Sequence, residues 1–138
     1  MPMTLDHLIV PARDRVAAAQ QLAELLDVPW AETCSVGPFS PVYVNDQLTL
    51  DFSQASEPFP PGHFAFRVAP EEFDAILGRI EAAGIPYRST PMGPTDMRIN
   101  TNHGGRALYW GVPDGHAWEI LTVSYARQPQ RPDPADAA

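Results

Sequence analysis

Apolar and polar side chains alternate over residues 4–10, TLDHLIV, which predicts a strand. Leu5, His7 and Ile9 share one face of it, and Asp6, Leu8 and Val10 share the other. Pro11 stops the alternation, and Asp14 is placed to cap a helix running to about Leu26. Val16, Ala19, Leu22 and Leu26 form the apolar stripe of that helix. Three short β-like runs follow, near 31–36, 40–45 and 47–53, with Asn45-Asp46 as the turn between the last two.

The pattern then repeats. Residues 63–68, HFAFRV, alternate again, with Phe64, Phe66 and Val68 opposite His63, Ala65 and Arg67. Pro70 suits a first helical position, acidic Glu71, Glu72 and Asp74 suit a first turn, and Gly84 suits a helix end. Phe73, Ile76, Leu77 and Ile80 make the stripe. Short β runs lie near 86–89 and 96–100. Then RALYWGV and HAWEILTV flank Pro113-Asp114-Gly115, the strongest hairpin signal in the chain. The order is β-α-β-β-β twice, an internal repeat, with the second half longer by a loop at roughly 90–104. This reading gives one domain over 1–126, module one at about 4–53 and module two at about 62–124. Residues 127–138, which lack apolar periodicity, read as a disordered tail.

The faces carry the chemistry. In LTLDFS, Asp51 lies opposite Leu48, Leu50 and Phe52, and in the last strand Glu119 lies opposite Trp118 and Ile120. If the larger apolar faces pack on the helices, His7, His63, Asp51 and Glu119 converge in one concavity. An isolated buried carboxylate is costly, and a metal ion would stabilise all four groups together. Either histidine alone reads more readily as a structural one than as a ligand. Their matched positions in two repeats, together with Glu119, favour ligation.

Composition narrows the class further. The chain has 138 residues, 44% of them apolar, enough for one core without staples. Nine basic against seventeen acidic residues give a net charge of −8, which opposes binding to nucleic acid or anionic membrane. No apolar run has transmembrane length, and MPMTLDHLIV has no basic leader. With a single cysteine, Cys34, no internal disulfide forms, and the expected home is cytoplasmic. His116, following the Asp114-Gly115 turn, reads as solvent-exposed, and Trp110 as core.

In their order along the chain, LDHLIVPARD, GHFAFRV and VPDGHAWEIL resemble the signature regions of the vicinal oxygen chelate superfamily, the glyoxalase/bleomycin resistance protein/extradiol dioxygenase proteins. The likeness covers roughly 4–123. It implies an α+β fold in which two βαβββ modules form a curved mixed-sheet cup around one divalent metal: Fe²⁺, Mn²⁺, Ni²⁺, Co²⁺ or Zn²⁺. Carried over by position, His7, His63 and Glu119 are the two-histidine, one-carboxylate set. Asp51 takes the fourth place, where its shorter arm either ligates or holds a water or histidine instead.

The resemblance also implies a small-molecule substrate whose vicinal oxygens chelate the metal. Isomerase or lyase chemistry and ring-cleaving oxygenation stand level as reactions, with thiol transfer to an epoxide below them. Tyr109 matches a cup-facing position, and it and Asp51 are the candidates for proton transfer. Arg67 either binds an anionic substrate or pairs with Asp51. His103, in the glycine-bearing loop INTNHGGR, either closes over a substrate as a proton carrier or is an exposed loop histidine. The alternative function is a metal-free binding protein of the bleomycin-resistance type, its cup lined by Tyr109, Arg67 and Phe39. Unpaired sheet edges, and the habit of the family, imply a homodimer.

Overall fold

The computed structural model describes residues 2–127. Strand β1 (His7–Ala12) leads into helix α1 (Arg15–Leu26), then β2 (Phe39–Tyr43) and β3 (Thr49–Gln54). Strand β4 (His63–Arg67), helix α2 (Pro70–Ala82), β5 (Ala107–Trp110) and β6 (Ala117–Leu121) repeat the order. The strands make two three-stranded mixed sheets, β1-β3-β2 and β4-β6-β5. In each, the first strand runs parallel to the last, and the middle one antiparallel to it. This is the α+β, two-module architecture that the repeat predicts.

Local chemistry explains the elements. Asp14 caps α1, its carboxylate accepting the Ala17 N–H at 3.1 Å. Pro70 opens α2, with Glu71 and Glu72 at the positive end of its dipole. Asn45 Oδ1 accepts the N–H groups of Gln47 and Leu48 and turns β2 into β3. Of the predicted α1 stripe, Ala19 and Leu22 are buried, whereas Val16 and Leu26 are only half-buried, because Ala18, Ala23 and Leu25 face the sheet with them.

Where a fourth strand per module is expected, the chain makes single bridges. Trp30 pairs with Val42, Arg88 with Tyr109, and Asn100 with Ala107, while 31–36 is a loop. Proline and glycine interrupt these stretches at Pro29, Gly37, Pro38, Pro91, Gly93 and Pro94, so a continuous ladder cannot form. The expected tail at 127–138 falls, from 128 onward, outside the described residues.

One core joins the modules. Val10, Val42, Leu50 and Phe52 from the first sheet meet Leu108, Trp110, Trp118 and Ile120 from the second, with both helices packed against them. Trp118 is central: Phe64 stacks on it at 4.6 Å between ring centroids, and Phe52 of the other module lies 6.1 Å away.

His116 completes the joint, and the expectation that it is exposed is wrong. Its exposure is 1%. The Gly62 N–H donates to His116 Nδ1 at 2.8 Å, so the ring proton sits on Nε2 and is donated to Pro11 O at 2.8 Å. The turn residue that precedes it by two, Asp114, accepts the Arg13 N–H at 3.0 Å. The hairpin end of module two is therefore buttoned onto the exit of β1, which is why a residue beside a turn lies inside. Among the described residues no helix is long and apolar enough to cross a membrane.

Candidate metal centre

The two modules place a histidine and a carboxylate in the same register. His63 pairs with Ala117, the first residue of β6, and Glu119 stands two residues on. His7 pairs with Thr49, the first residue of β3, and Asp51 stands two residues on. Each pair lies on the sheet face turned away from the helices, as the alternation predicts.

The pairs differ in their surroundings. Glu119 is 0% exposed, yet fully satisfied. His63 Nε2 lies 2.8 Å from Glu119 Oε1, and the Tyr125 hydroxyl donates to both carboxylate oxygens at 2.8 and 2.9 Å. Since the Tyr125 proton is committed to Glu119, the hydroxyl contact of 3.3 Å between Tyr109 and Tyr125 runs from Tyr109 to Tyr125. Burial, reinforced by that contact, pushes the Tyr109 phenol far above its ordinary value. Burial also raises the Tyr125 phenol, an effect that the Tyr109 hydrogen bond opposes. Both phenols stay protonated at neutral pH, which suits hydrogen-bond donors rather than bases. The His103 ring packs on Tyr125 at 4.7 Å, so the 100–105 loop does border this site. Tyr125 itself was not singled out by the sequence. Its one visible signal is a lone tyrosine just beyond the last strand.

His7 presents a contrasting picture. Its side chain is 59% exposed, and its Nδ1 bonds to Asp6 Oδ2 at 2.8 Å rather than to Asp51. That hydrogen bond is the main reason its imidazole titrates above its ordinary value; the charges of Asp6 and Asp51 act in the same direction and desolvation opposes them. Ile9 and Tyr43 stand on the same open face. On the equivalent face of the second sheet, Ala107, Tyr109, Ala117, Glu119 and Leu121 of β5 and β6 are buried, whereas His63, Ala65 and Arg67 of the edge strand β4 are exposed.

The four predicted ligands therefore do not converge within one chain, and among the described residues no group of three His, Cys, Asp or Glu side chains is placed to hold a metal. The reason is topological: each leading strand pairs with the last strand of its own module, so each sheet carries one half of the set. Nor do Arg67 and Asp51 form an ion pair among the described residues. They belong to different sheets, and Arg67 is exposed beside Val44, Leu48 and Glu72.

The His63–Glu119 half fits a divalent ion by its chemistry. His63 Nε2 and Glu119 Oε1, 2.8 Å apart, are near enough to serve one ion together. Imidazole with carboxylate is a donor set for a borderline transition metal.

Comparison with known proteins agrees with the fold. No family model matches the chain. Glutathione transferase FosA of Serratia marcescens is 27% identical over 132 residues, spanning 91% of this chain and 85% of that protein. The solved structure of the oxidase ChaP-H2 superposes with a TM-score of 0.83 at 39% identity, covering 91% of this chain and 98% of that one. Oxidase ChaP-H1 gives 0.81 at 44% identity, covering 91% and 99%. With two modules of like β-α-β-β order, a histidine and carboxylate in like register in each, and relatives at this level of identity, the chain belongs to the vicinal oxygen chelate superfamily.

Proposed function

We propose that this protein is a metal-dependent enzyme of the glyoxalase/dioxygenase type acting on a small molecule, and that its centre is completed by a second copy of the chain. The observation that carries this reading is the pair of half-sites. One is a buried Glu119 bonded to a half-exposed His63, and the other, in the same register, is His7 with Asp51 on an open, partly apolar sheet face. An open sheet face that carries Ile9 and Tyr43 is a surface for association. A two-fold dimer in which the first sheet of one copy faces the second sheet of the other makes two equivalent centres.

In that assembly His63 and Glu119 of one copy and His7 of the other hold the ion. Asp51 contributes a fourth oxygen or orients His7. The ion supplies Lewis-acid polarisation of vicinal substrate oxygens, or redox chemistry if it is iron. Tyr125 fixes the Glu119 carboxylate, and Tyr109, held protonated, donates through Tyr125 toward the same oxygens. Oxidation is favoured over isomerisation, because the relatives that share 39% and 44% of their residues with the chain are both named oxidases.

Protein purified without chelator tests the reading. We expect about one divalent ion per chain by elemental analysis, and a dimer by sedimentation at tens of micromolar, roughly the range in which a specific interface holds. A metal-free monomer that still binds small ligands would identify a binding protein instead.

A further inference from the structure

Arg88 stands outside every strand, yet it extends the second sheet by one residue. Its N–H donates to Tyr109 O, and its carbonyl accepts the Tyr109 N–H, both at 2.9 Å. Residues paired in this way project their side chains to the same face. Tyr109 is paired with Glu119, and Glu119 with Ala65. The row Arg88–Tyr109–Glu119–Ala65 therefore places Arg88 on the face that carries the His63–Glu119 pair, about two strand spacings, or ~10 Å, from Glu119.

Its guanidinium is held without being neutralised. Nε donates to the carbonyls of Thr90 and Pro91, each at 3.1 Å, and Nη2 to Pro91 O at 2.7 Å. Among the described residues it has no carboxylate in ion-pair range, whereas Arg106 meets Asp74 at 2.6 Å. Among the described residues Nη1 has no hydrogen-bond partner, and it lies over Gly111, where a Cβ would stand 3.2 Å from it. Gly111 thus leaves room for the arm. The supporting segment is itself fixed: Asp96 accepts from the Ser89 N–H and hydroxyl, and Asn100 Nδ2 donates to Ser89 O. A half-buried cation with fixed orientation and no countercharge, in a chain of net charge −8, is built for an anion from outside.

We propose that Arg88 takes an anionic group of the substrate. The molecule turned over then carries a carboxylate or comparable anion on the side of its metal-binding oxygens that faces the Arg88 edge of the sheet. Arg67, the sequence candidate for this role, stands on the same face beyond Ala65 but is exposed, beside Val44, Leu48 and Glu72. The proposal rests on the metal-centre reading above.

The test uses the full chain loaded with Zn²⁺, which is redox-silent, and two probes titrated calorimetrically. Catechol offers vicinal oxygens alone, and 3-(3,4-dihydroxyphenyl)propionate adds a carboxylate on a flexible arm. The wild-type protein is expected to prefer the propionate by about tenfold, the scale of a charge-assisted hydrogen bond. Arg88→Gln should bind the two probes equally, and Arg88→Lys should keep part of the preference. Equal binding by the wild type, or a preference that persists in Arg88→Gln, overturns the proposal. If Arg88→Gln does not fold, the wild-type preference and the Arg88→Lys result decide. If catechol fails to bind, or binds as well without zinc, the metal-centre reading has failed, and this inference with it.

Discussion

Glu119→Gln should leave the fold intact and lower metal affinity by about a hundredfold or more. Loss of an outer-shell partner of a ligand already costs 10–100-fold, and here a direct ligand loses its charge. Glutamine keeps the volume of the side chain, so the buried position does not become a cavity. Its amide oxygen still accepts the Tyr125 hydroxyl, which holds the surrounding network of Tyr109 and His63 in place. What disappears is the fully buried anion that would balance a divalent ion. Metal titration with a competing chelator, beside a thermal melt of the metal-free protein, separates the two effects. Retention of wild-type metal affinity would remove Glu119 from the ligand set.

The second large effect concerns stability. His116→Ala is expected to cost about 2–4 kcal/mol, because it leaves the Gly62 N–H and the Pro11 carbonyl without their partner and opens a hole beside Phe59, Phe64 and Trp118. For a chain of this size that corresponds to a melting temperature lower by roughly 10 °C. Melts are to be compared metal-free and at one protein concentration, because ligand and partner binding both shift the midpoint. His116→Gln, which can both donate and accept, should recover part of the loss. An alanine variant melting within about 2 °C of the wild type would show that the clasp between the modules contributes little.

Much of this architecture was legible in the sequence, for identifiable reasons. Asp14, Pro70 and the Asn45 turn act through local backbone chemistry, so α1, α2 and the β2–β3 hairpin could be placed from a few residues each. The alternation in LTLDFS and HAWEIL fixed which side of each strand Asp51 and Glu119 occupy, and the register bears this out. What could not be read was the placement of one sheet relative to the other. Period-2 alternation assigns a face but not what lies opposite it, so gathering all four candidate ligands in a single chain did not follow. His116 was misjudged for a related reason. Its neighbours Asp114 and Gly115 signal a turn, whereas its burial depends on Pro11, which lies 105 positions away in sequence. Tyr125 and Arg88 escaped notice because each acts from outside a strand, through a tertiary contact with no periodic signature.

The central claim is that the centre is shared between copies, and mixing two inactive variants tests it most directly. His7→Ala and Glu119→Gln are each expected to bind the metal weakly as homodimers. In a heterodimer of the two, one centre carries both changes and the other carries neither. Unfolding and refolding an equimolar mixture should therefore restore about a quarter of the wild-type high-affinity metal sites, since half the dimers are mixed and each has one intact centre. If no high-affinity sites return although heterodimers form, His7 and Glu119 do not meet across a dimer, and the shared centre is contradicted.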